Sequence, residues 1–202
     1  MHDLLKGKEK VLQVAIKLFS AKGFKGTSIR DIAQAMNMSI SNIYHYFGNK
    51  EGVLLAILEH SSRRLIDELR KISEMDLDPL DRFKLLIKTH IELSGSYKKE
   101  IKIFFLDEEH LSAEGEEINN QIQRDILEIH CNVLRALNEA GYMDCKSITI
   151  MAFNILGTIN WYLRWYRSKG PLSAEDVTKE VVSFILYGVL GNKKESIISE
   201  PR

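Results

Sequence analysis

A chain of 202 residues is long enough for one large or two small domains with a buried core. Its 28 basic and 28 acidic side chains cancel overall, but residues 1–50 carry seven lysines and one arginine against three acids, a net charge of +5, which leaves −5 for the remainder. Two cysteines, Cys131 and Cys145, do not make a disulfide scaffold, and the opening MHDLLKGKEK lacks an apolar signal core, so a reduced, cytoplasmic protein is expected.

Only three prolines and no strand-like alternation predict an all-α chain. The first helix is expected over about residues 7–22, with Val11, Leu12, Ala15, Ile16, Leu18 and Phe19 as its inner stripe and Gly23 as its stop. Lys6, Lys8 and Lys10 either trail across a phosphate backbone or only solubilise this end.

Residues 27–50, TSIRDIAQAMNMSISNIYHYFGNK, read as two short helices joined by a tight turn. Ser28 stands three residues before Asp31, the spacing of a capping box, and Ile29, Ile32, Ala33 and Met36 follow at helical spacing. Asn37 takes the left-handed turn position usually given to glycine, and Ser39 caps the next helix. Ile43 and Phe47 form the buried stripe of that second helix, leaving Ser41, Asn42, Tyr44, His45 and Tyr46 outward or sideways with no acid among them. Such a helix can enter a major groove N-terminus first. Asn49 caps a third helix, and Lys50 in its first turn makes a phosphate clamp with the free N–H groups there. The alternative is a plain helical hairpin with Tyr44, Tyr46 and Phe47 as core aromatics.

Leu18-Phe19-Ser20-Ala21-Lys22-Gly23-Phe24, Thr27-Ser28, Ile32-Ala33, Ser39, Ile43-Tyr44-His45-Tyr46-Phe47 and Asn49-Lys50-Glu51 together resemble the DNA-binding domain of the TetR family of bacterial repressors. The resemblance covers about the first fifty residues. It implies a homodimeric, cytosolic regulator that binds double-stranded operator DNA through Ser28, Arg30, Ser39, Ser41, Asn42, Tyr44, His45, Tyr46 and Lys50, with Arg30, Ser41 and Tyr44 at base edges. The sequence departs from the family where Ile40-Ser41 stands in place of a Lys-Gly-like pair and Asn37 in place of glycine, which puts the operator sequence in question.

A helix over about residues 50–74 is long enough to serve both halves of the chain, and residues 75–79 make a linker. Further helices are expected from Leu80 toward Ser96, over 98–107 and over 113–140, the last stopped by Gly141. Residues 147–163 contain no charge, but Thr149, Asn154, Gly157, Thr158 and Asn160 interrupt a stretch already short for a membrane span, so a buried or interface helix is expected. Residues 173–190 form the last helix, capped by Ser173 with Asp176. Two such hairpins from two chains would make a four-helix dimer bundle, with Ile159 and Ile185 expected on the shared faces.

His90-Ile91-Glu92 and Glu108-Glu109-His110 do not make compact ligand sets, because neighbours on a helix diverge; solvated or partly buried histidines are expected, and no metal or cofactor. No nucleophile motif or phosphate loop supports an enzyme. Residues 160–167, NWYLRWYR, followed by Gly170-Pro171-Leu172-Ser173, resemble the C-terminal signature of TetR-family regulators of fatty-acid, sterol or aromatic-acid breakdown, whose effectors are often acyl-CoA thioesters. Trp161, Arg164 and Arg167 then join Phe104, Phe105, Ile126, His130 and Phe153 as candidate effector contacts, unless the tryptophans simply pack the dimer. The expected organisation is a helix-turn-helix domain at 1–50 and a ligand-binding and dimerisation domain at 76–202. The competing reading is an all-helical enzyme or adaptor without specific DNA binding.

Overall fold

The computed structural model describes residues 2–107, 111–166 and 170–191, with the side chains of 2–6, 102 and 104–107 outside that description. Among the described residues there are nine helices and no strand: α1 His2–Lys22, α2 Ile29–Ala35, α3 Ile40–Phe47, α4 Lys50–Ser73, α5 Pro79–Ser96, α6 Lys98–Asp107, α7 Ala113–Glu139, α8 Ile148–Trp165 and α9 Ala174–Leu190. The all-α expectation holds. Gly23 and Gly141, both at positive φ, terminate α1 and α7 as glycine permits. None of the described helices is long and apolar enough to cross a membrane.

The chain divides into two compact units. The first is Met1–Arg64 with Tyr97–Ile122, and the second is Leu65–Ser96 with Gln123–Arg202. α4 runs from the first unit into the second, and the segment 97–122 belongs with the first. α6 packs on α1, Ile103 enters the core formed by α1 to α4, and Leu111 and Ile122 lie against it. The first turn of α7 is also tied to α4: Ser112 N–H and Oγ–H both donate to Glu51 Oε1, at 2.7 and 2.8 Å. Gly115 admits that carboxylate, since a Cβ there would lie 2.5 Å from the same oxygen.

In the second unit α5 packs on α8 and α9, and α8 on α9. Ala152, Ile155, Ile159, Tyr162 and Leu163 form the inner face of α8, and Val177, Ile185 and Val189 that of α9. Ile159 and Ile185, expected to meet a second chain, are therefore core residues of their own unit. The opposite faces are bare: Ile150, Phe153, Trp161, Phe184 and Tyr187 are 58–78 % exposed. A helix apolar on all sides gives no sign in its sequence of which side faces its own chain.

α5 and α7 meet across a seam fixed by two contacts. Tyr142 O–H donates to Asp78 Oδ2 at 2.9 Å, and His90 Nδ1 lies 2.9 Å from His130 Nε2. Both histidines are buried, so the expectation of a solvated or partly buried His90 is corrected; Glu108, Glu109 and His110 lie outside the described residues. Burial holds His90 down at about 4 and His130 well below its ordinary value, the neighbouring imidazole adding to the second effect.

Both rings are thus neutral in the fold, whereas the unfolded chain takes up their protons below about pH 6.5. Stability from this source is complete above 6.5 and is lost as the pH falls toward 4, by roughly 3 kcal/mol for His90. Asp31, Asp78 and Asp176, whose carboxyls are held below the ordinary 3.8 by hydrogen bonds, act mainly below that window. Urea midpoints measured from pH 7 to 4.5 should fall steeply for the natural chain and less steeply for the His90→Phe/His130→Phe double variant; parallel curves would contradict this account.

Candidate nucleic-acid interface

The helix-turn-helix forms as its caps dictate. Ser28 Oγ accepts from Asp31 N–H at 3.1 Å, and Asp31 Oδ2 accepts from Ser28 N–H at 2.7 Å, closing the capping box of α2. Asn37 turns the chain at φ 50°, a left-handed conformation that asparagine tolerates. Ser39 Oγ then accepts from Asn42 N–H at 3.3 Å and starts α3. Gly48, at φ 72°, ends it, and Asn49 Oδ1 caps α4 by accepting from Gly52 N–H at 2.7 Å.

Ile43 and Phe47 are the buried residues of α3. They seat it on a core that includes Phe19, Phe24, Ile32 and Leu54. Ser41, Asn42, Tyr44 and His45 are left exposed, together with Arg30 on α2, and no acid occurs in α3. This outward face presents hydroxyl, amide, phenol and imidazole groups to a partner and would not repel phosphates. Ile40, at the start of α3, is also 36 % exposed, an apolar group on the same helix that hydrogen-bonding criteria alone pass over. It could pack on a thymine methyl.

Four candidates have other attachments. The hydroxyls of Ser28 and Ser39 are occupied as caps. Tyr46 is half-buried against the core, its hydroxyl 3.3 Å from where a Cβ on Gly7 would stand. Lys50 does not stand clear beside its helix N-terminus: Nζ donates to Phe24 O at 2.9 Å and sits 4.2 Å from the Phe24 ring centre. The lysine stem is long enough to reach back across the turn, and a carbonyl plus a ring face satisfies its charge there. Lys8 similarly lies over Phe47, at 5.5 Å, while Lys10 is exposed.

The candidate effector contacts are distributed over α6, α7 and α8, with Arg167 outside the described residues. Phe104 and Phe105 lie in α6 of the first unit, with side chains outside the described residues, as is Arg167. His130 is fully buried and Ile126 half-buried on α7. Phe153 does not line an interior pocket: it is 58 % exposed on the bare face of α8, because it stands opposite Ala152, Ile155 and Ile159 around that helix. Trp161 shares this bare face, and Arg164 is exposed near its end. Trp165 and Tyr166 instead cluster with Tyr162, at ring separations of 5.9 and 5.3 Å. Among the described residues no three His, Cys, Asp or Glu side chains could jointly hold a metal ion.

The Lys50 geometry separates two roles. Lys50→Met should lower the melting temperature, by the equivalent of about 1–2 kcal/mol, and leave the salt dependence of DNA binding nearly unchanged. A salt slope lowered by about one unit would mean that the ammonium leaves Phe24 for a phosphate.

Residues 11–57 match the family described as "Bacterial regulatory proteins, tetR family", and residues 76–189 match "Tetracyclin repressor-like, C-terminal domain". The transcriptional repressor KstR2 of Rhodococcus jostii (strain RHA1) is 28 % identical over 181 residues, which is 89 % of each chain. Among solved structures, the TetR-family regulator PfmR from Thermus thermophilus superposes with a TM-score of 0.79 at 28 % identity, over 87 % of this chain and 96 % of that one. AibR, solved in complex with isovaleryl coenzyme A and operator DNA, shares the fold with a TM-score of 0.77 at 21 % identity, over 92 % and 98 % of the two chains. With its capped helix-turn-helix, acid-free exposed α3 and matches along nearly its whole length, the chain belongs to the TetR family and is a DNA-binding transcriptional regulator.

Proposed function

We propose that two copies of the chain join through the bare faces of α8 and α9, bind an operator with their two α3 helices, and release it when an acyl-CoA thioester binds the second unit. The observation that carries the DNA reading is the acid-free outward face of α3, fixed by two inward residues. Arg30, Ser41 and Tyr44 meet base edges. Asn42 and His45 hold phosphates, with the caps Ser28 and Ser39 contributing at the helix starts. Tyr46 and Lys50 act by seating α3 and α4.

The dimer reading rests on exposed apolar area. Ile150, Phe153, Trp161, Phe184 and Tyr187 crowd the uncovered faces of two adjacent helices, more than scattered surface apolar residues account for. Gly157 and Gly188 are exposed on the same helices, with nothing near their missing side chains, so a second backbone can approach closely there. Self-association also matches the two-fold symmetry of paired half-sites.

The effector reading rests on the likeness of residues 160–173 to the signature of acyl-CoA-responsive regulators and on the isovaleryl-CoA complex of AibR. α4 and α7 each run from one unit into the other, so a ligand with different affinity for two settings of these helices can change DNA affinity.

Phe184→Glu and Trp161→Glu should each give monomer by sedimentation, with helix content retained and operator affinity lost; an intact dimer for both would refute the proposed interface. Titrating the operator complex with acyl-CoA esters, the matched free acids and CoA alone should release DNA with an ester and not with its acid. Release by acids alone, or by no member of the panel, would overturn the effector assignment while leaving DNA binding intact.

A further inference from the structure

We infer that the α5–α7 seam receives the buried end of the effector, with His130 Nδ1 as its hydrogen-bonding anchor, and that this anchor selects a neutral oxygen (a thioester or ketone carbonyl, or a hydroxyl) over a carboxylate. The inference rests on the reading of the chain as an effector-controlled regulator and adds where, and by what chemistry, the effector is held.

Among the described residues, the buried side-chain polar atoms without a hydrogen-bond partner are Arg82 Nε, His130 Nδ1 and Asn138 Oδ1. All three belong to α5 or α7. Of the three, His130 Nδ1 belongs to a fully buried residue, whose other ring nitrogen meets His90 across the seam at 2.9 Å. Folding normally removes such atoms from apolar interiors or pairs them, so an unmet nitrogen on a fully buried ring is the observation behind the inferred anchor.

The histidine pair fixes the chemistry. With both rings neutral, the 2.9 Å contact contains one proton. If His90 Nδ1–H donates, His130 carries its own proton on Nδ1 and offers a donor suited to a carbonyl oxygen. If His130 Nε2–H donates, its Nδ1 is an acceptor suited to a hydroxyl. A switch of tautomers in both rings converts one state to the other without any net charge. A carboxylate would need a cation beside it. The seam's own cation, Arg82, is two helical turns from His90 and already donates to Leu77 O at 2.9 Å and to Ser73 O at 3.4 Å. Leu86, Ile87, Ile91, Val133 and Leu134, all essentially inaccessible to solvent, supply the apolar setting that an acyl chain or ring system requires.

The test uses the 202-residue chain with 15N-labelled histidine, titrated separately with octanoyl-CoA, 1-octanol and octanoate while the ring-nitrogen shifts are read by long-range 1H–15N correlation. Octanoyl-CoA and octanol should move the His130 signals and fix a single tautomer, and octanoate should not. His130→Phe should weaken octanoyl-CoA binding at least about tenfold, whereas His130→Gln, which keeps a donor and an acceptor, should stay within about threefold. If His130→Phe does not fold, the shifts in the natural chain and the His130→Gln affinity decide. Binding without any change at His130, octanoate binding as well as the thioester, undiminished binding by His130→Phe, or no binding by any of the three probes would overturn the inference. Operator release by octanoyl-CoA with unmoved His130 signals would sink this inference alone; absence of release by any thioester would sink the effector reading beneath it.

Discussion

Two side chains, Ile43 and Phe47, hold the recognition helix to the rest of the molecule. α3 is only eight residues long, too short to be stable by itself. It exists because those two side chains bury themselves among the apolar residues of α1, α2 and α4. The same burial settles which residues face outward, so packing and the proposed DNA contacts are one constraint seen from its two sides. Further ties secure the setting. Lys50 grips Phe24 across the turn, Lys8 covers the Phe47 ring, and the Glu51 carboxylate, beginning α4 just beyond α3, holds the first turn of α7. A helix that carries no acid and few inward residues can exchange its outward residues, and hence its operator, at little cost to the fold.

The second unit solves a different problem. α8 and α9 are apolar on two sides, and one chain covers only one of them. Aromatic side chains as large as Phe184 and Tyr187 left in water at 67 and 78 % exposure lose most of the burial free energy available to them, about 2 kcal/mol for a side chain of that kind. In the proposed dimer a second copy recovers it. Within the unit the seam between α5 and α7 is polar where cores are usually apolar, and its neutral histidine pair is held by burial, without any countercharge.

Local signals were legible in the sequence. Ser28 with Asp31, Ser39, Asn49 and Ser173 cap the helices they were expected to cap, and Asn37 takes the left-handed turn. These features act over four residues and leave a direct imprint on the chain. Features that depend on distant packing were not legible. His90 and His130 are forty residues apart, and nothing in either neighbourhood announces their contact. The inner and outer faces of α8 differ by where α5 and α9 pack, so Ile159 and Phe153 exchange their expected places. The position of Lys50 at a helix start points to a phosphate, but its stem is long enough to choose a partner 26 residues earlier. The spatial allegiance of α6 and the first turns of α7 to the DNA-binding unit likewise follows from Ile103, Leu111 and Ile122, whose helical spacing alone names no partner.

The central claim is that this protein meets DNA through the outward face of α2 and α3. Amide hydrogen exchange of the 202-residue chain, with and without a duplex from the region upstream of its own gene, tests it directly. Added protection is expected at residues 28–30 and 39–45, with α8 and α9 unchanged between the two samples. Protection centred elsewhere, or a duplex that binds while α3 exchanges as fast as before, would contradict it.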